Sequence, residues 1–184
     1  KPAIHYKTFA SITLTPKQNQ QVLAKWQWNL SERNAANSND GILPTYPYTK
    51  NKVQITYQGN FSNGLILKSG WVAHFFQYHT DELCSGHLVY QDIGWQNHTL
   101  NIVARLAFFD VPDYDNKITV YENDVLYAFS NTAFYGKGIK TYLNIGYKPY
   151  KGWGIFLKIA HIWHSNQPNE PYQTYLHGLV QYKW

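Results

Sequence analysis

The stretch TLNIVARLAFF, residues 99–109, decides the fold class, because its side chains alternate in character from one residue to the next. Asn101 and Arg105 fall on one side of this period-2 pattern, and the other side carries Leu100, Ile102, Ala104, Leu106 and Phe108. Alternation predicts a β-strand, since successive side chains of a strand point to opposite faces. Strands of globular proteins average about 5 or 6 residues, whereas a tilted strand needs about 9 to 11 to cross a bilayer. The length therefore favours a strand that spans a membrane.

The same alternation recurs along the whole chain, and the 3.6-residue spacing of amphipathic helices is hard to find. Nine strands are predicted, at residues 3–14, 20–32, 51–60, 65–79, 86–95, 99–109, 138–148, 153–164 and 174–184. Short turns alternate strictly with longer links: turns at 15–19, 61–64, 95–98 and 148–152, and links at 33–50, 81–86, 110–137 and 165–173. Short turns at one end and long loops at the other are typical of outer-membrane barrels.

We therefore expect residues 1–184 to form an all-β segment of an antiparallel, up-and-down transmembrane β-barrel. Nine alternating strands begin and end in the same direction, so they cannot close an all-antiparallel barrel, and bacterial single-chain barrels have an even number of strands. The segment is expected to be the C-terminal portion of a larger barrel. Its long loop at residues 110–137 is expected to lie outside the cell or inside the lumen.

Composition and ring positions distinguish this prediction from its rival, a soluble β-sandwich whose apolar rows would face a dry core. Aromatic residues make up 17% of the chain and charged residues only 15%, against about 25% charged residues in typical soluble domains. No apolar run approaches the roughly 18 residues of a membrane helix. Tyr and Trp cluster near predicted strand ends, as in the aromatic girdles of barrels: Trp28, Tyr57, Trp71, Tyr78, Trp95, Tyr147, Trp153, Trp163, Tyr182 and Trp184.

Positive charges mark the side of the strands that we assign to the lumen. A Lys or Arg on the lipid side costs about 2 to 4 kcal/mol at mid-depth. The basic residues of the strands are therefore predicted to face inward: Lys7, Lys25, Lys52, Lys68, Arg105, Lys140, Lys158 and Lys183. Only Glu32 and Asp92 among the 11 acids lie within the predicted strands. A basic wall of this kind would favour anionic solutes.

The longest loop holds an acidic cluster, which consists of Asp110, Asp113, Asp115, Glu122 and Asp124. One hypothesis is that the loop folds into the lumen and pairs with the basic wall, forming a constriction. A second is a divalent-cation site, because closely spaced carboxylates can supply oxygen ligands for calcium. The third is a solvated outer loop. The apolar residues of the same loop indicate that it packs against another surface.

No catalytic, cofactor or metal site is predicted. The eight His residues offer only loose pairings, His161 or His164 with a Ser and His74 with Ser69. The chain lacks the G-x-S-x-G, H-E-x-x-H and P-loop patterns. Cys84 is the only cysteine, which excludes an internal disulfide. We expect a protein that is not an enzyme and that needs no cofactor.

Two adjacent stretches, YENDVLYAFS at residues 121–130 and FYGKGI at residues 134–139, are the most specific part of a longer segment, residues 104–148. Together with the aromatic terminus, this segment resembles the C-terminal barrel part of a family of Bacteroidota outer-membrane proteins described as helix-hairpin-helix-domain-containing. The resemblance covers roughly the second half of the chain. It implies an integral outer-membrane protein, and it supplies no catalytic residues to carry over. A helix-hairpin-helix segment in the same protein would imply contact with a nucleic-acid backbone.

The resemblance to outer-membrane barrels also implies a role for YLHGLVQYKW, residues 175–184. In such barrels the barrel assembly machinery recognises the last strand by a terminal aromatic residue and by apolar residues at alternating positions before it. Leu176, Val180, Tyr182 and Trp184 fit this assembly signal, and Gly178 fits it poorly.

The sequence thus predicts an integral protein of the outer membrane of a Gram-negative bacterium. We expect a porin-like channel, a transporter or a component of an outer-membrane complex, with a basic lumen. Two alternatives stay open: a barrel that handles nucleic acid in DNA binding or uptake, and a structural anchor without transport. The expected partners are outer-membrane lipid and the barrel assembly machinery, with other outer-membrane subunits or nucleic acid in the alternatives.

Overall fold

A computed structural model describes residues 4–34, 45–78, 82–165 and 171–184. In these residues the chain is all-β, and its one helical element is a single 3-10 turn at Tyr114–Asn116. No helix there is long and apolar enough to cross a membrane. The strands are β1 (His5–Lys17), β2 (Gln20–Asn34), β3 (Thr45–Asn60), β4 (Leu65–Tyr78), β5 (Cys84–Gln96), β6 (Leu100–Val111), β7 (Ile118–Glu122), β8 (Ser130–Phe134), β9 (Gly136–Tyr147), β10 (Trp153–His164) and β11 (Tyr172–Tyr182).

Nine of these strands form one antiparallel up-and-down sheet in the order β1-β2-β3-β4-β5-β6-β9-β10-β11. They correspond to the nine predicted strands, so the prediction of an all-β, up-and-down architecture is confirmed. Within the part of the chain that the structure describes, β1 and β11 are the two edges and do not pair with each other. The described sheet is therefore open.

Two predicted connections are shorter than expected. Within the predicted link at residues 33–50, the described residues 33–34 and 45–50 belong to β2 and β3, which stay paired as far as Asn34 opposite Thr45. Pro47 lies in this stretch, although proline cannot donate to a ladder and is normally confined to edges. It is tolerated because the described pairing of β3 with β4 ends at Tyr48, which leaves Pro47 beyond the region where β3 has neighbours on both sides.

The long predicted loop at residues 110–137 is mostly ordered structure. Its first and last residues extend β6 and β9, and residues 112–135, called the insertion below, contain the 3-10 turn and the hairpin β7-β8. The sequence pattern did not predict this hairpin, because ITVYE and SNTAF are short and are separated by apolar residues that obscure the alternation. The insertion leaves the sheet after Val111 and returns to it at Gly136.

The two faces of the sheet differ in what covers them. The inner face is the one against which the insertion packs. Strand β10 is typical of the pattern, since its residues alternate strictly between exposed and buried from Trp153 to His164. The predicted faces of β4 and β5 were ambiguous because both faces carry apolar residues. Val72 and Phe76 turn out to lie beneath the insertion, and Trp71 lies on the opposite, outer face.

The core lies between the inner face and the insertion. Leu88 and Ile118 are fully buried there. Their cluster draws on four strands of the sheet and on both strands of the hairpin: Val72, Leu88, Tyr90, Ala107, Phe109, Val111, Ile118, Val120, Phe134 and Ile162. The burial of this apolar surface, worth about 25 cal/mol per Å², holds the insertion in a fixed position. Charged side chains of the insertion are thereby brought against the sheet.

Candidate functional site

The eight basic residues assigned to the lumen all lie on the inner face. Directly opposite residues of neighbouring antiparallel strands share a face, and the pairing connects them across the sheet. Lys68, for example, is opposite Asp92, which is opposite Arg105. By the same pairing and the period of two, the inner face carries Lys7, Lys25, Lys52, Lys68, Arg105, Lys140, Lys158 and Lys183.

Arg105 and Asp92 form the centre of the covered region. Arg105 donates from Nε to Asp92 Oδ1 at 2.5 Å and from Nη2 to Asp92 Oδ2 at 2.7 Å. Its guanidinium also lies over the rings of Tyr90 and Tyr142, 4.3 and 5.2 Å from their centroids. The remaining Nη1 donates to the backbone carbonyl of Tyr121 in the insertion at 3.0 Å. Both side chains are buried, and their charges are matched to each other.

A second group of charges joins the insertion to β9, β10 and β11. Lys140 Nζ lies 2.7 Å from Glu122 Oε2, and Lys158 Nζ lies 3.4 Å from the same oxygen and 3.1 Å from Asp124 Oδ2. His177 Nδ1 lies 2.9 Å from Asp124 Oδ1. The two acids thus connect the insertion to three strands of the sheet.

The surroundings of Asp124 change its acidity. Burial alone raises the pKa of this carboxyl, but hydrogen bonds from His177, the Val125 N–H and Lys158 outweigh the effect of burial. The pKa of Asp124 therefore lies below its ordinary value. The ionised form of Asp124 is the form that holds the insertion against β10 and β11.

The five acids of the predicted cluster do not converge on one point. Asp110 pairs with Lys137 at the exposed base of the insertion, 2.9 Å apart. Asp113 accepts a hydrogen bond from the backbone N–H of Asp115 and so caps the 3-10 turn. Glu122 and Asp124 face Lys140 and Lys158 of the sheet. No group of three or more His, Cys, Asp or Glu side chains in the described residues could hold a metal ion.

The inner face of β1, β2 and β3 carries a group of lysines and lies beyond the insertion, except where Lys50 contacts it. Lys7, Lys25 and Lys52 form no ion pair with any residue that the structure describes. Lys50 belongs to the same surface, because it is opposite Asn29, which is opposite Lys7. Its Nζ donates to the backbone carbonyl of Asp115 at 3.0 Å. We call these four residues, Lys7, Lys25, Lys50 and Lys52, the open basic surface.

The remaining candidates are separated by the sheet. His74 lies on the inner face and Ser69 on the outer face, and Ser69 donates to Gln91 at 2.5 Å, so the two do not form a pair. His161 is on the outer face, 2.9 Å from Thr174 Oγ1. The assembly-signal residues share the outer face of β11 and its continuation: Leu176, Val180, Tyr182 and Trp184.

Several residues of the site were not singled out in the sequence. Tyr90 and Tyr142 lie in predicted strands and were given no role, although their rings flank Arg105. Lys50 was assigned to a link rather than to β3. Asn116 is fully buried and donates from Nδ2 to the carbonyls of His74 at 3.3 Å and Cys84 at 3.2 Å. The placement of His177 on the polar side of the last strand was visible, but its acidic partner lies 53 residues away.

One part of the inner face is covered and neutralised by Asp92, Glu122 and Asp124, and the neighbouring part is open and basic. An open basic surface attracts anions and concentrates them near the sheet. No protein-family model, no curated protein and no solved structure matches this chain.

Proposed function

We propose that the nine-stranded sheet is part of the wall of an outer-membrane β-barrel. In this proposal the outer face contacts lipid, the inner face lines the lumen, and the insertion lies inside the lumen and narrows it. The barrel would serve as a channel or transporter that prefers anionic solutes. The apolar, exposed outer face is the observation that carries the proposal.

The outer face is apolar in the middle of the sheet. Val89, Ile93 and Phe108 each expose about half of their surface, and the same face continues with Leu106, Leu143, Ile155, Leu157, Ile159 and Trp163. Soluble monomers rarely expose a contiguous apolar patch larger than a few hundred Å². Contact with lipid tails would remove this apolar surface from water.

Polar residues of the outer face fit the same proposal. In β4, β5, β6, β9 and β10, the charged residues on the outer face are Asp110 and Lys137, which pair with each other at the loop end of the sheet. Uncharged polar side chains in the middle have partners, as in the hydrogen bonds of Ser69 with Gln91 and of His161 with Thr174. A polar group that is hydrogen-bonded costs much less in an apolar surrounding than an unpaired one.

The spacing of aromatic rings supports a membrane-spanning strand. Trp153 begins β10 near the tight turn, and Trp163 lies near its other end. At about 3.3 Å per residue the ten residue steps from Trp153 to Trp163 cover about 33 Å along the strand. With the tilt of about 35 to 45° that is usual in such barrels, the rise is about 25 Å, the height of the apolar band of an outer-membrane barrel. The ring of Tyr182 extends the belt at the turn end, 5.0 Å from that of Trp153.

Closure of the barrel requires strands beyond the nine described. Because the nine alternate in direction, β1 and β11 run the same way, and an odd number of further strands is needed to join them antiparallel. A ring of identical copies would place β11 of one copy parallel to β1 of the next. The further strands are therefore expected to come from residues outside this sheet, and not from a second copy of it.

Electrophysiology tests the proposed function. The natural full-length protein, reconstituted in a planar lipid bilayer, is expected to conduct ions and to show a reversal potential that favours chloride over potassium in a salt gradient. The open basic surface is the reason, since it lowers the energy of an anion near the wall. Failure of the protein to enter liposomes would contradict the membrane assignment. Conductance with a preference for cations would contradict the proposed selectivity.

A structural anchor is the second candidate, and the packing of the insertion favours it. The insertion buries Ile118 and Phe134 against the wall and adds buried ion pairs with Lys140 and Lys158. If it also fills the remainder of the closed lumen, the barrel would be plugged. A protein that enters liposomes but does not conduct would support the anchor over the channel.

A further inference from the structure

Phe9 places an exposed aromatic ring among the lysines of the open basic surface. It lies on the inner face of β1, two residues after Lys7, and it is opposite Gln27 of β2, which is opposite Lys52 of β3. Lys25 lies two residues before Gln27 on the same face. Phe9 is 74% exposed, so an apolar ring is surrounded by polar and charged side chains. A ligand with a flat apolar part would cover this ring.

The insertion lies away from this ring. In the described part of the chain, the 3-10 turn and β7 contact β4 and β5, and Lys50 of β3 reaches the turn at the carbonyl of Asp115. Strands β1 and β2 lie further along the sheet. A further strand at the free edge of β1 would lie beside Phe9, at about 4.8 Å, and not over its ring. The ring therefore stays accessible on the inner face.

Three lysines around the ring carry charge that no described residue neutralises. Lys7, Lys25 and Lys52 form no ion pair within the described residues, whereas the charge of Lys50 is partly offset by Asp115 of the insertion. The three lie on three strands, and the strand spacing and rise place the Cα atoms of Lys7 and Lys25 about 14 Å apart. Charges spread in this way are complementary to several linked anionic groups rather than to one carboxylate.

Amide side chains lie between the ring and the lysines. Gln27 is between Phe9 and Lys52, and Asn29 follows two residues later on the same face of β2. Gln27 Nε2 donates to Asn29 Oδ1 at 2.9 Å. An amide carries two donors and one acceptor oxygen, so the pair also offers the Gln27 oxygen and the Asn29 nitrogen. These groups can hydrogen-bond the edge of a heterocyclic base or the hydroxyls of a sugar.

We propose that Phe9 and the lysines of the open basic surface bind a nucleoside polyphosphate. The base stacks on the ring of Phe9, Gln27 and Asn29 hydrogen-bond the nucleoside, and the phosphates pair with the lysines. A simple carboxylate would not use the ring, and an uncharged aromatic molecule would not use the charges. A single-stranded nucleic acid stacks successive bases on several rings, and the single ring among these lysines favours a single nucleotide.

This site rests on the proposed function in one respect, since it assigns a chemical class to the anionic solute that the inner face attracts. Its binding step does not require ion flow. It can therefore be measured on protein in detergent micelles, separately from conductance.

Titration calorimetry with ATP, inorganic triphosphate and adenosine tests the proposal on the natural full-length protein at low salt. ATP is expected to bind with a Kd of about 1 mM or tighter. Triphosphate should bind about tenfold more weakly, because it lacks the base that stacks on the ring. Adenosine should bind more weakly than ATP, because it lacks the phosphates. Equal affinities for ATP and triphosphate, or no binding of ATP, would overturn the proposal.

Phe9→Leu separates stacking from charge. It is expected to weaken ATP binding about tenfold and to leave triphosphate binding unchanged, a difference that a disturbed fold would not produce. Tyr6→Leu is the matched control, because it removes a ring from the outer face of the same strand. This variant should bind ATP as the natural protein does. Unchanged ATP binding by the Phe9 variant would overturn the proposal.

The lysines are tested by a second variant. Lys25→Gln with Lys52→Gln should weaken ATP and triphosphate binding alike, by about tenfold or more, since each removed charge acts on the same phosphates. Lys151→Gln, in the exposed turn between β9 and β10, is the control for net charge. Equal weakening in the Lys151 variant would overturn the assignment of the phosphates to this surface.

Two further outcomes separate this site from its rivals. A short single-stranded oligonucleotide that displaces ATP at a concentration more than about a hundredfold lower would make nucleic acid the occupant and overturn the single-nucleotide proposal. ATP binding without conductance would support this site and remove the channel. Conductance that prefers chloride, in a protein that does not bind ATP, would overturn this site and leave the channel.

Discussion

Arg105 of β6 lies directly opposite Asp92 of β5, and two hydrogen bonds of 2.5 and 2.7 Å join them beneath the insertion. Both side chains are buried. Two parallel N–H···O bonds of this kind fix the geometry of both partners. Because Arg105 also holds the Tyr121 carbonyl, the pair connects the sheet to the insertion.

Replacement of Arg105 by Ala is expected to destabilise the protein by about 3 to 5 kcal/mol, because it leaves the Asp92 carboxylate buried without its partner. Chemical denaturation in micelles measures the free energy of unfolding. Lys7→Ala is the control, since this exposed inner-face lysine should change the free energy by less than about 0.5 kcal/mol. Adding Asp92→Asn to Arg105→Ala should restore part of the loss. Equal effects of the Arg105 and Lys7 variants would contradict the buried-pair account.

Gly70 makes room for the ring of Tyr90, and an alanine there is expected to destabilise the sheet. A Cβ at Gly70 would lie 2.2 Å from Cζ of Tyr90, so the ring would have to leave its position over Arg105. Overpacking of this kind costs about 1 to 3 kcal/mol. Gly178→Ala is the matched control, because nothing lies within 4 Å of a Cβ there. Thermal or chemical denaturation should separate the two variants, and equal stabilities would refute the role given to Gly70.

The fold followed from the sequence wherever one period dominated. Strands such as β6 and β10 alternate strictly, so their existence, face and direction were predictable. The hairpin β7-β8 was not predictable, because five-residue strands do not establish a period. The first residues of β3, which include Pro47, were assigned to a link, and they are strand because they pair with β2.

The sequence predicted which charged residues the candidate site contains, but it did not predict which of them pair with one another. Sequence placed the basic residues on one side of the strands and the acids in one loop. It did not predict which acids contact the inner face of the sheet. Glu122 and Asp124 do so, whereas Asp110 pairs at the base of the insertion and Asp113 caps the 3-10 turn. That choice depends on how Ile118 and Phe134 are buried, which is a property of packing between elements distant in the chain.

Acidification is expected to loosen the insertion. The pKa of Asp124 is lower in the folded protein than its ordinary value of 3.8, so the ionised carboxylate contributes stability that is fully present above pH 3.8. This contribution is lost as the pH falls from 3.8 through the lower folded value. Lys158, His177 and Glu122 are the titratable groups around Asp124.

Hydrogen exchange of the insertion measures this effect. Amides of residues 118–134 should exchange faster as the pH falls below 3.8, after correction for the intrinsic rate. Asp124→Asn is the control, and it should remove the part of the pH dependence that Asp124 causes. An unchanged pH profile in that variant would show that other groups hold the insertion.

Reversal of charge on the open basic surface is expected to reduce the preference for anions. Lys25→Glu with Lys52→Glu should lower the chloride-to-potassium permeability ratio by roughly two- to fivefold, since a nearby unit charge is worth about 1 kcal/mol in water. Reversal potentials in planar bilayers provide the measurement. Lys151→Glu, in the exposed turn between β9 and β10, changes the net charge at a different place and is the control. A similar shift in the Lys151 variant would attribute selectivity to net charge alone.

The outer face of β10 offers the sharpest test of the membrane assignment. Ile159 lies between Trp153 and Trp163 along the strand, so the proposed barrel places it near mid-depth in the lipid. Arginine there should cost about 2 to 4 kcal/mol in a lipid-embedded barrel, whereas Trp153→Arg, near the interface, should cost about 0 to 1 kcal/mol.

A water-soluble protein would give a different order for these two variants. Ile159 is already 46% exposed and Trp153 is 47% exposed, so in water either arginine should change the free energy of unfolding by about 0.5 kcal/mol or less. Reversible unfolding from phospholipid vesicles measures both values under the same conditions. A large cost at Ile159 with a small one at Trp153 requires surroundings that are most apolar around the middle of the strand, as in a lipid bilayer. Small and equal costs would mean that the outer face contacts water, and the lipid-facing role of this sheet would then have to be abandoned.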